Sequence, residues 1–258
     1  MTKKYFFFDI DGTLTDDSTH LIVPSAERTL HALEENGHFV SIATGRAHYK
    51  TVSFTDAIDI HNMVCAGGGC LVIQGKVIEN KALPLEDTIH LLECADKDNI
   101  GWLLMIEDSD NVYMRDYRFL EQAGFRKELT SYHYDADLDY HNINQIFKVY
   151  MSYTSQQEKE LPWIDILGRL RMAEGYCVYQ YDRKKDGILS MMDHLGGTLE
   201  DVVVFGDGKN DLVMFDSQWT SIAMGNAVDV LKKKADYVAA ANVEDGIEKA
   251  CRHFGWIQ

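Results

Sequence analysis

Asp9 and Asp11 stand two residues apart in the segment Asp9-Ile10-Asp11-Gly12-Thr13, directly after the apolar run Tyr5-Phe6-Phe7-Phe8. Residues i and i+2 share a face while the chain stays extended, so both carboxylates can address one site. Carboxylates that close should differ in proton affinity. One then suits an ionised nucleophile and the other a general acid. Gly12 permits a sharp turn and close approach of a ligand. A second acidic segment, Gly206-Asp207-Gly208-Lys209-Asn210-Asp211, follows the apolar run Val202-Val203-Val204-Phe205. A helix beginning near Lys209 would set Asp207 and Asp211 about one turn apart, with Asn210 between them. Oxygen ligands from carboxylates and an amide suit a hard cation such as Mg²⁺. Ordinary turn chemistry is the alternative for each segment alone. It does not explain why two acidic loops each follow a buried strand.

Two further segments carry groups suited to an anion. Thr44-Gly45-Arg46 offers a hydroxyl and backbone N–H groups of the kind that cradle phosphate at a helix N-terminus. Lys184-Lys185-Asp186-Gly187 opens a helical pattern, and a lysine there could steady phosphate charge as a point cation. A plain turn and solvated surface lysines are the respective alternatives.

The elements that must position these groups alternate between strand and helix. Tyr5–Phe8 reads as a strand buried on both faces. Pro24-Ser25 opens a helix over 24–36, with Leu30 and Leu33 on one side and Gly37 as its stop. Phe39–Ala43 and 63–66 read as further strands. In the C-terminal part, Ile188, Met192 and Leu195 follow helical spacing, and Gly196-Gly197 ends that helix. Residues 202–205, 221–224 and Tyr237–Val238 complete the strand set. Strands alternating with helices imply a mostly parallel sheet with right-handed crossovers, an α/β core. The middle of the chain is richer in Tyr, His and Asp. Its candidate strands, Asn111–Met114 and 147–153, suggest an antiparallel sheet with one wet face. The expected organisation is therefore an α/β Rossmann-like parallel-sheet core over 1–82 and 183–258, with an α+β domain inserted over 83–182.

A length of 258 residues suits one large domain or two modest ones. The formal net charge of −16 repels nucleic acid and anionic lipid, so neither is an expected partner. It would also repel a phosphorylated substrate, which demands a local cation at any site for one. The five scattered cysteines form no CxxC pair and read as reduced thiols rather than a disulfide framework. With no signal segment and no run as long as a membrane span, a cytoplasmic protein is expected.

Taken together, the four segments resemble the haloacid dehalogenase-like phosphatases, most closely the Cof-type branch, along the whole chain. The resemblance implies a Mg²⁺-dependent phosphatase acting on a small phosphorylated metabolite, such as a sugar phosphate, through an aspartyl-phosphate. By it Asp9 is nucleophile and metal ligand. Asp11 is general acid/base and offers its backbone carbonyl to the metal, and Asp207 is a further metal ligand. Ile10, Thr44, Gly45, Lys184 and Asn210 line the phosphate, while Asp211 and Arg46 support the site. The inserted domain is a cap, with Tyr113, Arg115 and Arg118 as candidates to meet the leaving group; an exposed strand face is the alternative for them. A phosphomutase or a catalytically idle phosphate-binding protein would keep the same fold. The chain departs from the family at Gly67-Gly68-Gly69, where relatives often carry Asn-Gly, and at Asp186, where many have lysine before the glycine. The family's Lys-x-x-Gly variant selects Lys184 over Lys185.

Overall fold

The structure is a computed structural model and describes residues 2–258. The residues up to Asn80 and Arg183–Gln258 form one compact unit, and Lys81–Asp182 form another. In chain order the first unit begins with β1 (Tyr5–Phe8), α1 (Pro24–Glu35), β2 (Phe39–Ala43), α2 (His48–Ala57), β3 (Met63–Cys65), β4 (Cys70–Ile73) and β5 (Lys76–Asn80). The second unit holds α3 (Leu85–Lys97), β6 (Trp102–Met105), β7 (Asn111–Met114), α4 (Arg118–Ala123), β8 (Ser131–Tyr134), β9 (Lys148–Met151), β10 (Arg169–Ala173) and β11 (Tyr176–Tyr179). The chain then returns to the first unit with α5 (Lys184–Leu195), β12 (Val202–Gly206), β13 (Thr220–Ala223), α6 (Asp229–Lys234), β14 (Tyr237–Val238) and α7 (Gly246–His253).

The first unit's sheet runs in the order β14-β13-β12-β1-β2-β3-β4-β5. The strands from β14 to β3 are parallel, and β4 and β5 extend the edge antiparallel. β1 explains its own composition. Phe6 and Phe8 point to one face, into a core with Leu30 and Leu33 of α1 and Ile247 of α7. Phe7 points to the other, against Ile188 and Met191 of α5. A strand covered on both sides needs no polar alternation, hence the unbroken apolar run. Each of these phenylalanines is fully buried, a contribution of about 1.5–3 kcal/mol apiece.

β1 also lies where the chain order reverses, between β2 on one side and β12 on the other. In open parallel sheets a ligand crevice forms at such a point, outside the carboxyl ends of the strands. Asp9, Thr44 and Asp207 follow or end these three parallel strands, so the topology brings them to one edge of the sheet.

The second unit is a six-stranded sheet, β10-β11-β9-β6-β7-β8, antiparallel except for the β7–β8 pair. The expected single wet face is corrected here. β6, β9 and β11 are buried along their whole length. Trp102 and Leu104 pack on Leu91 and Leu92 of α3, whereas Leu103 and Tyr150 pack with Phe119 of α4. Both faces are thus covered, and clean alternation survives only at β7. No helix among the described residues is long and apolar enough to cross a membrane.

Candidate active site

The site begins with how β1 stops. The Asp9 amide donates to the Phe205 carbonyl at 3.0 Å, which ties the end of β1 to β12. The chain then curls. Thr13, Leu14 and Thr15 all donate their amides to the Ile10 carbonyl, while the Ile10 side chain is buried in the core. Gly12 sits at φ +80, and a Cβ there would lie 2.3 Å from Asp207 Oδ2. Only glycine allows this loop and the Asp207 loop to approach so closely.

Asp9 is 4 % exposed and Lys184 1 %. Lys184 Nζ donates to Asp9 Oδ1 and to Asp211 Oδ1, both at 2.6 Å. Asp211 is fully buried. Its other oxygen accepts the amides of Asp207 at 3.0 Å and Gly208 at 2.9 Å. These bonds fold residues 207–211 into a tight turn entering a short 3₁₀ helix, Lys209–Met214. A 3₁₀ turn therefore stands where the spacing suggested the start of an α-helix. Asn210 lies exposed on that turn. Thr13 Oγ1 donates to Asp207 Oδ1 at 2.8 Å, joining the two acidic loops.

Asp9, Asp207 and Asp211 each bring a carboxylate oxygen within 4.8 Å of the others. One ammonium serves these three acids. Burial pushes Asp9 up to about 8; Lys184 opposes that rise, and Asp211 and Asp207 add to it. Burial likewise lifts Asp207 to about 6, against the pull of the Thr13 hydroxyl. Burial alone would lower Lys184, but Asp9 and Asp211 outweigh it and hold the ammonium above the ordinary lysine range. The cluster is short of positive charge. Among the described residues, Asp9 Oδ2 and Asp207 Oδ2 accept no hydrogen bond, while both Asp211 oxygens are taken. The donor set fits a hard cation at Asp9 and Asp207, with Asp211 holding the loop and the lysine.

The remaining expected residues fall into place unevenly. Thr44 is buried, and its hydroxyl oxygen accepts the Arg46 amide at 3.2 Å. α2 starts only at His48, so Thr44 and Gly45 sit in the loop before the helix rather than at its N-terminus. Asp11 points outward, 58 % exposed, in a two-point ion pair with Arg46 that includes a 3.0 Å bond from Nε to Oδ2. Lys185 turns away to Asp216, at 2.6 Å. In the second unit, Arg115 and Arg118 both donate to Asp96, at 2.8 and 2.7 Å, and Asp96 also accepts from Trp102 and Tyr140. Tyr113 instead donates to Glu107 at 2.9 Å and stacks on His133. The structure thus joins two of these three residues and separates the third. Sequence reasoning also missed Asn226 and Asn242, which donate to the carbonyls of Gly12 and Thr15. Isolated asparagines in loops carry no local signal of a long-range partner.

Gly68 is glycine for a structural reason. Its φ is +101, and a Cβ would meet the Arg183 carbonyl oxygen at 2.3 Å. The Arg183 amide donates to Gly67 O at 2.8 Å, so the glycine turn grips the chain one residue before Lys184. Gly68→Ala is expected to destabilise the protein by about 1–3 kcal/mol, the usual scale for enforced left-handed backbone. Urea denaturation checks this; an unchanged midpoint would mean the turn is not constrained as described.

A parallel-sheet core with a charge-deficient carboxylate cluster at the ends of β1 and β12 defines a hydrolase of the haloacid dehalogenase type. Residues 6–251 match the haloacid dehalogenase-like hydrolase family, and the chain belongs to it as a phosphoric monoester hydrolase. It is 32 % identical over 262 residues, with both chains fully covered, to the "Putative phosphatase YkrA" of Bacillus subtilis (strain 168). It is 25 % identical to the 5-amino-6-(5-phospho-D-ribitylamino)uracil phosphatase YcsE of the same organism, covering 97 % of this chain and 95 % of that one. Among solved structures, the subclass IIB sugar phosphatase BT4131 is similar at a TM-score of 0.76 and 28 % identity, covering 99 % of this chain and all of the other.

Proposed function

We propose that the protein is a Mg²⁺-dependent phosphatase that cleaves a small phosphorylated metabolite through an aspartyl-phosphate on Asp9. The observation that carries the reading is the carboxylate trio of buried Asp9 and Asp211, both bonded to Lys184, with half-buried Asp207 beside them. Phosphoryl transfer is mostly positioning and charge stabilisation, and this cluster supplies a fixed carboxylate, a fixed ammonium and a place for a cation. Asp9 and Asp207 would hold Mg²⁺ together with the Asp11 carbonyl, and the bound ion supplies the positive charge that lets an anionic substrate approach.

Asp9 is held at Oδ1 by Lys184, and its carboxylate attacks phosphorus. The bond from phosphorus to the alcohol oxygen breaks, and Asp11 delivers a proton to that oxygen. Asp11 must leave Arg46 to do so. It then takes a proton from the water that attacks the aspartyl-phosphate, releasing phosphate and restoring Asp9. The Thr44 hydroxyl, the Lys184 ammonium and the Ile10 and Gly45 amides would hold the phosphate oxygens as charge spreads over them. We assign choice of the leaving group to the second unit. YcsE and BT4131 act by name on a phosphorylated ribityl compound and on sugar phosphates, and we take phosphomonoesters of small polyols and sugars as the substrate class here. The test is phosphate release with Mg²⁺ across a panel of phosphorylated metabolites. Release from several sugar and polyol phosphates is expected, and none from any phosphomonoester would overturn the reading.

The site chemistry also sets a pH dependence. Asp9 sits near 8 and Asp207 near 6, so near neutrality the site retains a proton that a bound cation must displace. Mg²⁺ affinity should then fall as pH drops below about 8, by up to roughly tenfold per pH unit for each proton displaced. Calorimetric titration with MgCl₂ alone at pH 6 and pH 8 checks this. Equal affinity at both would mean the carboxylates are not the ligands.

A further inference from the structure

The Asp9 and Asp207 loops come from strands that lie side by side, yet cation binding needs their oxygens at a fixed separation. One segment touches both. Met224 donates its amide to the Gly206 carbonyl at 3.0 Å, and Val228 donates to the Asp207 carbonyl at 2.9 Å. Between them, Asn226 Nδ2 donates to the Gly12 carbonyl at 2.8 Å. That carbonyl belongs to the Gly12–Thr13 peptide, whose other end is held by Thr13 N–H on Ile10 O at 3.3 Å. Thr13 in turn gives its hydroxyl to Asp207 Oδ1. The bonds close a ring: Asn226, the Gly12–Thr13 peptide, the Thr13 hydroxyl, Asp207, then Val228 back to Asn226. Asn226 is itself oriented, because its Oδ1 accepts the Asn242 amide at 3.1 Å.

We infer that Asn226 is a positioning residue for the cation. It fixes the plane of the Gly12–Thr13 peptide, and through Thr13 it aims Asp207 at Asp9. This rests on the reading of Asp9 and Asp207 as metal ligands. Asn226 is exposed as a residue, whereas Asn242 is buried. The two asparagines therefore divide the work. Asn242, with Nδ2 on the Thr15 carbonyl at 2.7 Å, supports the fold, while Asn226 adjusts the site without filling the core.

Residues that orient metal ligands from behind typically change metal affinity or activity 10–100-fold when lost. The test uses the full chain and two substitutions. Asn226→Ala removes both bonds. Asn226→Asp keeps the acceptor for Asn242 but turns a carboxylate oxygen toward the Gly12 carbonyl in place of the N–H. Mg²⁺ affinity is read by calorimetry with the metal alone, and the melting temperature is read in EDTA. Both variants should bind Mg²⁺ at least about tenfold more weakly than wild type while melting within a few degrees of it. Asn242→Ala should melt markedly lower. Wild-type Mg²⁺ affinity in either Asn226 variant overturns the inference, because each lacks the bond to Gly12. A large drop in melting temperature at unchanged affinity also overturns it, leaving Asn226 a structural residue. Failure of the wild-type protein to bind Mg²⁺ would count against the ligand reading itself, and is visible in the same titration before any variant is made.

Discussion

On the proposed mechanism, Asp9→Asn should abolish phosphate release and leave a folded protein that, without metal, is at least as stable as the parent at pH 8. The loss of turnover follows from removing the attacking oxygen. An amide is a poor nucleophile, and the drop should be on the order of 10⁴-fold or more, the scale seen when a covalent nucleophile is deleted. The stability half follows from burial. A carboxylate whose folded-state pKa lies near 8 rather than 3.8 favours the folded state most when protonated. Its contribution is fully present below about pH 4 and is lost as pH rises towards 8. Asparagine is nearly isosteric and carries no charge, so it never incurs that loss, and Lys184 still has Asp211 as partner. Thermal melts in EDTA from pH 5 to 8.5 should show the parent falling more steeply than the variant. Residual turnover near the parental rate in the folded variant would remove Asp9 from the mechanism. Parallel melting curves would mean its burial carries no charge penalty.

Lys184→Met should be the most damaging change to folding and to activity together. Asp9 and Asp211 would face each other across the gap left by the ammonium that now binds both. Breaking a buried ion pair by removing one partner typically costs about 3–5 kcal/mol. The sign with pH is opposite to the intuition that acid denatures. Lowering pH lets Asp9 take up a proton, so the variant's deficit should shrink from pH 8 to pH 5.5. Chemical denaturation at the two values measures this. Lys185→Met is the control, since Lys185 makes a half-exposed pair with Asp216 of the kind worth about 0–1 kcal/mol. Equal damage from both substitutions would sink the distinction between the two lysines.

The elements nearest the chemistry were the most legible in the sequence. β1 could be read to the residue, because a strand covered on both faces leaves an unbroken apolar run and the first acid marks its end. The same logic located β12 to within one residue. It failed in the second unit, where β6, β9 and β11 are also doubly covered but the surrounding Tyr, His and Asp suggested a wet face. The aspartates and histidines lie outside those three strands, in the connections, α3 and β8, whereas Tyr150, Tyr176 and Tyr179 are buried in β9 and β11 themselves. Thr44 was found by its place after β2, but the start of the next helix was misplaced because nothing local marks the N-terminus at His48. The 3₁₀ turn at Lys209 was unreadable for a different reason. Asp211 folds back on the amides of Asp207 and Gly208, and that choice depends on Lys184, 27 residues earlier. Asn226 and Asn242 lie more than 200 residues from the carbonyls they hold, beyond any pattern of spacing.

The glycine turn at Gly67-Gly68 has a bearing on how the chain could have diversified. Residue 183 is where the chain re-enters the first unit, and it is gripped at both its amide and its carbonyl side before Lys184 begins. Whatever lengths and sequences the intervening hundred or so residues adopt, the returning strand of peptide is clamped ahead of the lysine. Such an anchorage makes the middle of the protein an exchangeable cassette. Recombination or insertion there would leave the register of Lys184 against Asp9 fixed, provided those two glycines are kept.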